Sequence, residues 1–541
     1  MNQIPNLDAL LATAVSKYPD RDALVFPDVR YSYQDLWNKA WDRARELRGL
    51  GFVAGDHLGI LMPNCPEFIE FLLAAVICGG VAVPINARNK ASELAYVVEN
   101  ADLVGLVTSD EISEYADFAA LLHTALPGLA EAGDPSALSL SQAPKLRFTA
   151  LLGDQTPGFL SAADLVERAS TQNDDQIDAD RTARDPDAAC IMMYTSGTTA
   201  HPKGCPLSHH LLVRNGANMN RSRYFLDAQD RFWTPLPMFH MSSILPMVCC
   251  FDAGAATLSM RRFEAKSALA MLEQERATVA FPAFPTVMND LIHHADFAGR
   301  DLSAVKRLNN VAPPDVLRSF QEAMPQAVQT GAYGLTEVGG VIAFNHPEES
   351  LERRLTTCGV PFDGIEVRVV DAETLQQLPP GERGELQVRG YAVFSGYYRA
   401  PEKNAEAFVD GWFRTGDLCS VDEQGSIAFH GRLKDMLKVG GENVAALEIE
   451  SHLTMHPQIK MAQVIGVPDP RLSEVPAAFV ELAPGAHLDA EEVIGHCQGT
   501  IASFKVPRHV RFVSNWPMSS TKIQKFVLQD WFKSGQSTTS R

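Results

Sequence analysis

The segment AACIMMYTSGTTAHPKG, residues 188–204, joins an apolar run to eleven positions of which seven are Ser, Thr, Gly or Lys. The cluster follows the apolar run directly and reads as a loop. In that loop, hydroxyls and Gly-exposed backbone N–H groups can close around phosphate oxygens, and Lys203 adds a point charge. The order is not that of a Walker loop, G-x-x-x-x-G-K-[ST], because Lys203 precedes Gly204 and Cys205 follows. A generic P-loop NTPase is thereby disfavoured. A lone Gly-Thr-Thr would pass for a surface turn, but the full string outweighs that reading.

N-terminal to the loop, helical patterns (NLDALLATAVSKY, YQDLWNKAWDRARELRGLG, CPEFIEFLLAAVICG, KASELAYVVENA) alternate with short apolar strands (HLGILMP, VAVPI, LVGLVTS). The alternation predicts parallel sheet covered by helices. Within it, FLLAAVICGGVAVPI from Phe71 is about 15 residues long against the roughly 20 needed to span a bilayer. It reads as a buried helix, two glycines and a buried strand, so no integral membrane segment is expected. Segments 111–160 and 171–188 read as surface segments. Strand and helix alternate again over 190–345, and 356–430 changes to short β-prone pieces separated by turns (GIEVRVVD, GSIAFHG). After GRLKDMLKVGGENVAALEIESHL (431–453) a last segment carries its own strands and helices, and GRLKDM is the expected hinge between a large N-terminal and a small C-terminal domain. The expected fold class is α/β. It comprises a large N-terminal domain, residues 1–432, of mixed, mainly parallel sheets with helices plus a β-rich subdomain, and a small mobile α+β C-terminal domain, 433–541.

A chain of 541 residues exceeds one ordinary core. With 66 acidic and 47 basic side chains, its net charge of -19 would repel a polyanion, and nucleic acid is not expected as a partner. The nine cysteines show no CxxC pair, which reads as free thiols in a reducing compartment, here the cytoplasm. The N-terminal residues lack the pattern of a secretory signal, and TTSR is no lipidation or peroxisomal tail. A homodimer is left open.

Tyr194 to Gly204 resembles the signature loop of the AMP-forming adenylating superfamily, which holds acyl-CoA synthetases, amino-acid adenylation domains and luciferases. Five further motifs follow in the family's order. PLPMFHMSS (235–243) is similar to the segment beside the substrate carboxylate, which implies that place for His240. GAYGLTEVGG (331–340) resembles the adenine and metal motif and implies nucleotide contacts for Gly331, Ala332, Tyr333 and Gly334, with Tyr333 stacking on adenine. Thr336 would bond the α-phosphate and Glu337 would give a carboxylate oxygen to Mg²⁺, with Thr195 the second metal-side contact. Ser196, Gly197, Thr198, Thr199 and Lys203 would hold phosphates. Read without the family, YGLTE is a helix N-terminus capped by Thr336.

In GWFRTGDL (411–418) Asp417 matches the aspartate that accepts both ribose hydroxyls. In GRLKDMLKVGGENVAALEIE (431–450) the resemblance places Arg432 at the ribose, Lys434 at a hinge and Lys438 near the nucleotide or a thiol tunnel. Taken alone, these lysines would be a solvated face. WPMSSTKIQK (516–525) resembles the loop that delivers the catalytic lysine, although it is one residue short and has Thr521 where Gly is usual. Lys522 precedes Ile523 as in the family and is the candidate; Lys525 is the fallback. NNVAPP (309–314) departs too, with Val311 in place of a glycine, where it would intrude on the nucleotide or acyl pocket.

The resemblance implies two half-reactions: a carboxylate attacks the α-phosphorus of MgATP, and a thiolate then displaces AMP from the acyl-adenylate. The chain ends 19 residues after Lys522 with no carrier domain, so free coenzyme A is the expected acceptor. Amino-acid adenylating relatives place Asp after the Phe that Phe239 matches; His240 stands there, which disfavours an amino acid. An apolar wall of Met238, Met241, Ile244, Leu245, Phe281, Phe284, Val311 and Val338 suits a hydrophobic acid, whether fatty, aryl or alicyclic. Such a wall separates neighbours differing by one methylene by only about 1–3 kcal/mol. The competing readings are an acyl-AMP ligase that loads a separate carrier protein, and a nucleotide-binding homologue that has lost turnover.

Overall fold

The computed structural model describes residues 6–195, 202–439, 442–519 and 522–535. The apolar run before the Ser/Thr/Gly cluster forms the strand Ala189–Thr195. It lies in a six-stranded sheet beside Val81–Pro84, His57–Leu61, Leu103–Ser109 and Phe148–Leu152, all parallel. Lys203–Ser208 closes that edge antiparallel, with Thr195 opposite Lys203. The apolar run from Phe71 divides as read. Every residue of the helix Pro66–Ile77 except Glu67 is buried, as a helix laid on a doubly covered parallel sheet must be. Gly79 turns the chain at φ +89° into Val81–Pro84, and at Gly80 a Cβ would lie 2.5 Å from the Phe52 ring. Among the described residues no helix is long and apolar enough to cross a membrane.

A second sheet orders Val328–Thr330, Arg307–Asn310, Val279–Ala283, Arg231–Trp233, Ala256–Leu258, Asp22–Val25 and Arg30–Ser32, parallel except for the last pair. One apolar cluster, running from Leu7 to Ile427, holds side chains from both sheets and from the helices His209–Met219 and Met241–Ala253. The β-rich part is an antiparallel sheet of Ile365–Val370, Gly384–Gly390, Trp412–Val421 and Phe408–Val409, with Ile427–Arg432 added on Trp412–Val421. From Met436 a separate sheet begins: Glu442–Ala445, Met436–Val439, Ser473–Leu482 and Ile459–Asp469, with His509–Phe512 parallel to Ser473–Leu482. Its two apolar clusters include no described residue before Leu437. The α/β class with a β subdomain and a small C-terminal α+β unit is therefore the observed architecture.

Two segments read as surface are more than that. Within 111–160 lie the helix Phe118–Ala125 and the strand Phe148–Leu152, and Phe118, Leu146, Phe148 and Leu151 are buried. Within 171–188 lies the helix Asp174–Thr182, capped by the Asn173 side chain. Its single buried residue, Ile177, packs into the main core, and ion pairs Arg45–Asp174 (2.7 Å) and Arg181–Asp8 (3.0 Å) fasten the rest.

Candidate active site

Strand register brings the first group together. Asp417 on Trp412–Val421 sits directly across from Arg432 on Ile427–Arg432, and Arg432 Nε lies 2.7 Å from Asp417 Oδ1. The Tyr333 hydroxyl, from the short strand Ala332–Tyr333, donates to Asp417 Oδ2 at 2.7 Å. Asp417 is only 3% exposed, and a carboxylate so deep needs this pairing to stay charged. Burial, followed by the charge of Asp417, pushes the Tyr333 phenol well above its usual range, so it remains a neutral donor. The ring expected on adenine thus carries a hydroxyl committed to Asp417, the acid expected at the ribose.

The second group forms on the short 3₁₀ turn Thr336–Val338. No side chain caps this turn, which corrects the reading of Thr336 as an N-cap; Thr336 is its first residue. The approach to it is shaped by Gly334, where a Cβ would land on the Gly340 carbonyl oxygen, and by Gly331, whose N–H donates to Asn345 Oδ1 at 2.8 Å. Glu337 Oε1 accepts from the Tyr397 hydroxyl at 2.9 Å. Lys203 Nζ stands 4.1 Å from the centroid of the same Tyr397 ring. Burial holds the Lys203 ammonium below the usual lysine range, with the charge of Glu337 working against that. Thr195 faces Lys203 across the hairpin. Tyr194 turns away and donates to Asn100 Oδ1 at 2.8 Å, so it anchors the hairpin. Ser196, Gly197, Thr198 and Thr199 lie outside the described residues.

His240 occupies the N-cap position of Met241–Ala253, half-buried, its ring 4.9 Å from that of Phe239. The segment leading to it hangs on the buried Asn64, which accepts from the Met238 N–H at 2.8 Å and donates to Leu236 O at 2.9 Å and Met260 O at 3.3 Å. Met238, Met241, Ile244, Leu245, Phe281 and Val338 belong to one apolar cluster with Phe284 packed on it. Val311 differs from that wall: it is 50% exposed, and its N–H donates to Ala283 O at 2.8 Å. Ala283 has φ +55°, a left-handed backbone uncommon for a residue with a Cβ.

The lysines of the small domain separate clearly. Lys434, in the turn Leu433–Asp435, and Lys438 are exposed. Lys525 pairs with Glu450 at 2.6 Å, so the fallback lysine is engaged within the small domain. Lys522 lies in the strand pair Lys522–Ile523 against Met518–Ser519; its side chain lies outside the described residues.

Together these residues set two carboxylates, Asp417 and Glu337, among the cations Arg432 and Lys203. A carboxylate between a guanidinium and a phenol suits a vicinal diol. Glu337 gives one oxygen to Tyr397; a carboxylate oxygen and a threonine hydroxyl, the donors expected from Glu337 and Thr195, are of the kind a hard cation takes. Tyr397 and Asn64 were not singled out in the sequence. Their partners lie 60 and 172–196 positions away, beyond any local pattern.

Residues 11–398 match the AMP-binding enzyme family, and residues 448–522 match the AMP-binding enzyme C-terminal domain. The protein YngI of Bacillus subtilis (strain 168) is 35% identical over 532 residues, covering 96% of each chain. The mitochondrial medium-chain acyl-CoA ligase ACSF2 of Mus musculus is 32% identical over 538 residues, covering 97% of this chain and 86% of its own. The crystal structure of the anthranilate CoA ligase AuaEII in complex with anthranoyl-AMP superposes with a TM-score of 0.86 at 25% identity, covering 99% of this chain and 98% of that one.

Proposed function

Because this chain belongs to the AMP-binding enzyme family, among its acyl-CoA ligases, we propose that it activates a hydrophobic carboxylic acid with ATP and transfers the acyl group to free coenzyme A. The observation that carries the reading is the pairing of Tyr333, Asp417 and Arg432 beside Glu337, Tyr397 and Lys203. Medium-chain fatty acids are the first class to test, since ACSF2 is a medium-chain ligase and the wall around Met238, Met241 and Phe281 is apolar. Aryl acids come second, on the likeness to an anthranilate ligase. Nine free cysteines among the described residues support a reducing compartment, the cytoplasm.

In the first half-reaction Asp417 accepts the ribose hydroxyls, and the phosphates run toward Lys203 and the 194–204 loop. Carboxylate and triphosphate are both anions, so the barrier falls by positioning and by cations that offset their charge. A carboxylate oxygen bonds to the α-phosphorus as the bond to pyrophosphate breaks. Thr336 orients the α-phosphate, His240 stands by the acid, and Lys522 offsets the charge that develops. Glu337 and Thr195 would hold Mg²⁺, which when bound would supply charge neutralisation to the phosphates. In the second half-reaction the CoA thiolate bonds to the acyl carbon, and the bond from that carbon to the AMP oxygen breaks. The residues from Leu433 onward turn about Lys434 between the two steps and exchange Lys522 for the face carrying Lys438.

The test is a panel of straight-chain acids of graded length, benzoates and alicyclic acids with ATP, Mg²⁺ and CoA, read as pyrophosphate and AMP. At least one acid should give CoA-dependent AMP. If none does, while a phosphopantetheinylated carrier is acylated, the CoA reading falls; no pyrophosphate exchange with any acid removes the enzyme reading altogether.

A further inference from the structure

The stretch FSGYYRAPEKN, residues 394–404, belongs to none of the motifs assigned a role above, yet it touches both halves of the phosphate site. The Phe394 N–H donates to the Glu337 carbonyl at 2.9 Å, and the Tyr398 N–H donates to the Gly204 carbonyl at 2.8 Å. One five-residue segment is thereby bonded at one end to the turn bearing Glu337 and at the other to the hairpin bearing Lys203. Tyr397, between the two, repeats the connection with its side chain, hydroxyl on Glu337 and ring under Lys203.

The segment is itself held in place. Asn404 clamps both backbone groups of Tyr397: its Oδ1 accepts the Tyr397 N–H at 2.7 Å and its Nδ2 donates to the Tyr397 carbonyl at 3.0 Å. Gly396, at φ +124°, lets the chain pass close to Asn404, whose side-chain atoms would lie 3.0 Å from an added Cβ. Phe394 packs edge-on against the Tyr397 ring at 4.8 Å and fixes its plane. Beyond it, the Tyr398 hydroxyl and Arg399 both reach Asp102, at 2.9 and 3.0 Å, which ties the segment to the parallel sheet.

We propose that Tyr397 is a positioning residue for adenylation, its hydroxyl orienting the Glu337 carboxylate and its ring seating the Lys203 ammonium, so that the metal-side acid and the phosphate-loop lysine are set at a fixed separation. The proposal rests on the roles given to Glu337 and Lys203 under the proposed function. A carboxylate that must present one oxygen to a cation gains from having the other committed to a rigid donor. The hydroxyl of a tyrosine clamped at both backbone groups is such a donor. An ammonium over an aromatic face is held without a countercharge, which leaves Lys203 able to act on phosphate.

Tyr397→Phe keeps the ring and removes only the donor, and Tyr397→Leu removes both. ATP affinity is measured by calorimetry across a Mg²⁺ series, alongside the Mg²⁺ dependence of ATP–pyrophosphate exchange and the KM for the acid. For Tyr397→Phe the Mg²⁺ needed for half-saturation should rise about tenfold, the scale of one charge-assisted hydrogen bond, with the acid KM unmoved. Tyr397→Leu should in addition weaken ATP binding without Mg²⁺ by roughly threefold or more. A Tyr397→Phe protein that titrates like wild type overturns the proposal. So does one in which Mg²⁺ dependence, acid KM and kcat all decline alike, since that is what loss of packing alone would give. Glu337→Gln separates the layers: if it shifts the Mg²⁺ dependence and Tyr397→Phe does not, Tyr397 alone is misassigned. If Glu337→Gln does not shift it either, the metal-side reading of Glu337 falls and this proposal with it.

Discussion

Asp417 shows how much one residue's neighbours decide. Its carboxylate is buried, paired with Arg432 and bonded by Tyr333, so Asp417→Asn removes a charge around which the other two are arranged. The KM for ATP should rise by about ten- to a hundredfold, the range for lost charge-assisted hydrogen bonds, in a pyrophosphate exchange assay. An unchanged KM would count against the ribose role. His209 makes a pH prediction. Fully buried, it accepts the Leu7 N–H at 3.2 Å, and burial, followed by the nearby Arg184 charge, lowers its pKa to about 3 from an ordinary 6.5. Below pH 6.5 the unfolded chain takes up a proton that the folded chain refuses. Its contribution to stability is therefore complete above that pH and is lost as pH falls toward 3. His430, lowered to about 4 by burial first, acts with the same sign. His209→Gln should accordingly flatten, without abolishing, the fall of Tm between pH 6.5 and 4. At this scale the sequence offered Glu337, Asp417 and Arg432 through motifs that resemble the family's, and the fold sets Asp417 against Arg432. The sequence was opaque at Tyr397 and Asn64, whose partners only the fold supplies.

Among elements, the long periodic helices and apolar strands were readable, and the polar helix Asp174–Thr182 was not. DDQIDADRT offers a single large apolar side chain, so no face recurs at the helical period. What forms it is an Asn173 cap and ion pairs to Arg45 and Asp8, which are tertiary events. Ile177→Ala should cost about 2 kcal/mol or more as a truncation in a closed core, seen in urea unfolding of the intact chain with the KM for ATP unaltered. Gly334 gives the opposite case, an element boundary that admits no side chain. Gly334→Ala must push the Gly340 carbonyl away, and the turn Thr336–Val338 should move with it. ATP binding should weaken by more than about tenfold, on the scale of one lost charge-assisted hydrogen bond. A fully active Gly334→Ala enzyme would show that the turn tolerates displacement.

For the whole molecule, a small C-terminal body with strands and helices of its own was readable, and its sheet from Met436 keeps its own apolar clusters, whereas its bonds to the rest were not readable. Glu448 of the small body takes Arg383 of the β subdomain at 2.6 Å and Lys505 of its own body at 2.5 Å. If the small body turns about Lys434, the Arg383–Glu448 bond must break at each half-cycle. Proline at the hinge would fix φ near -65°. Lys434→Pro should thus separate the half-reactions, leaving pyrophosphate exchange within about threefold of wild type and cutting thioester formation at least tenfold, on the view that one short hinge absorbs the whole rotation. Equal losses in both would speak against the hinge.

The nine cysteines are unevenly shared: eight precede the division and only Cys497 follows it, and all but Cys358 are buried. The chain therefore carries its own pair of clocks. Under slow denaturation with a thiol-reactive dye, Cys358 reacts first as the one thiol that is not buried; beyond it, one equivalent from Cys497 times the opening of the small body and the seven buried thiols before the division time the rest, without any label being engineered.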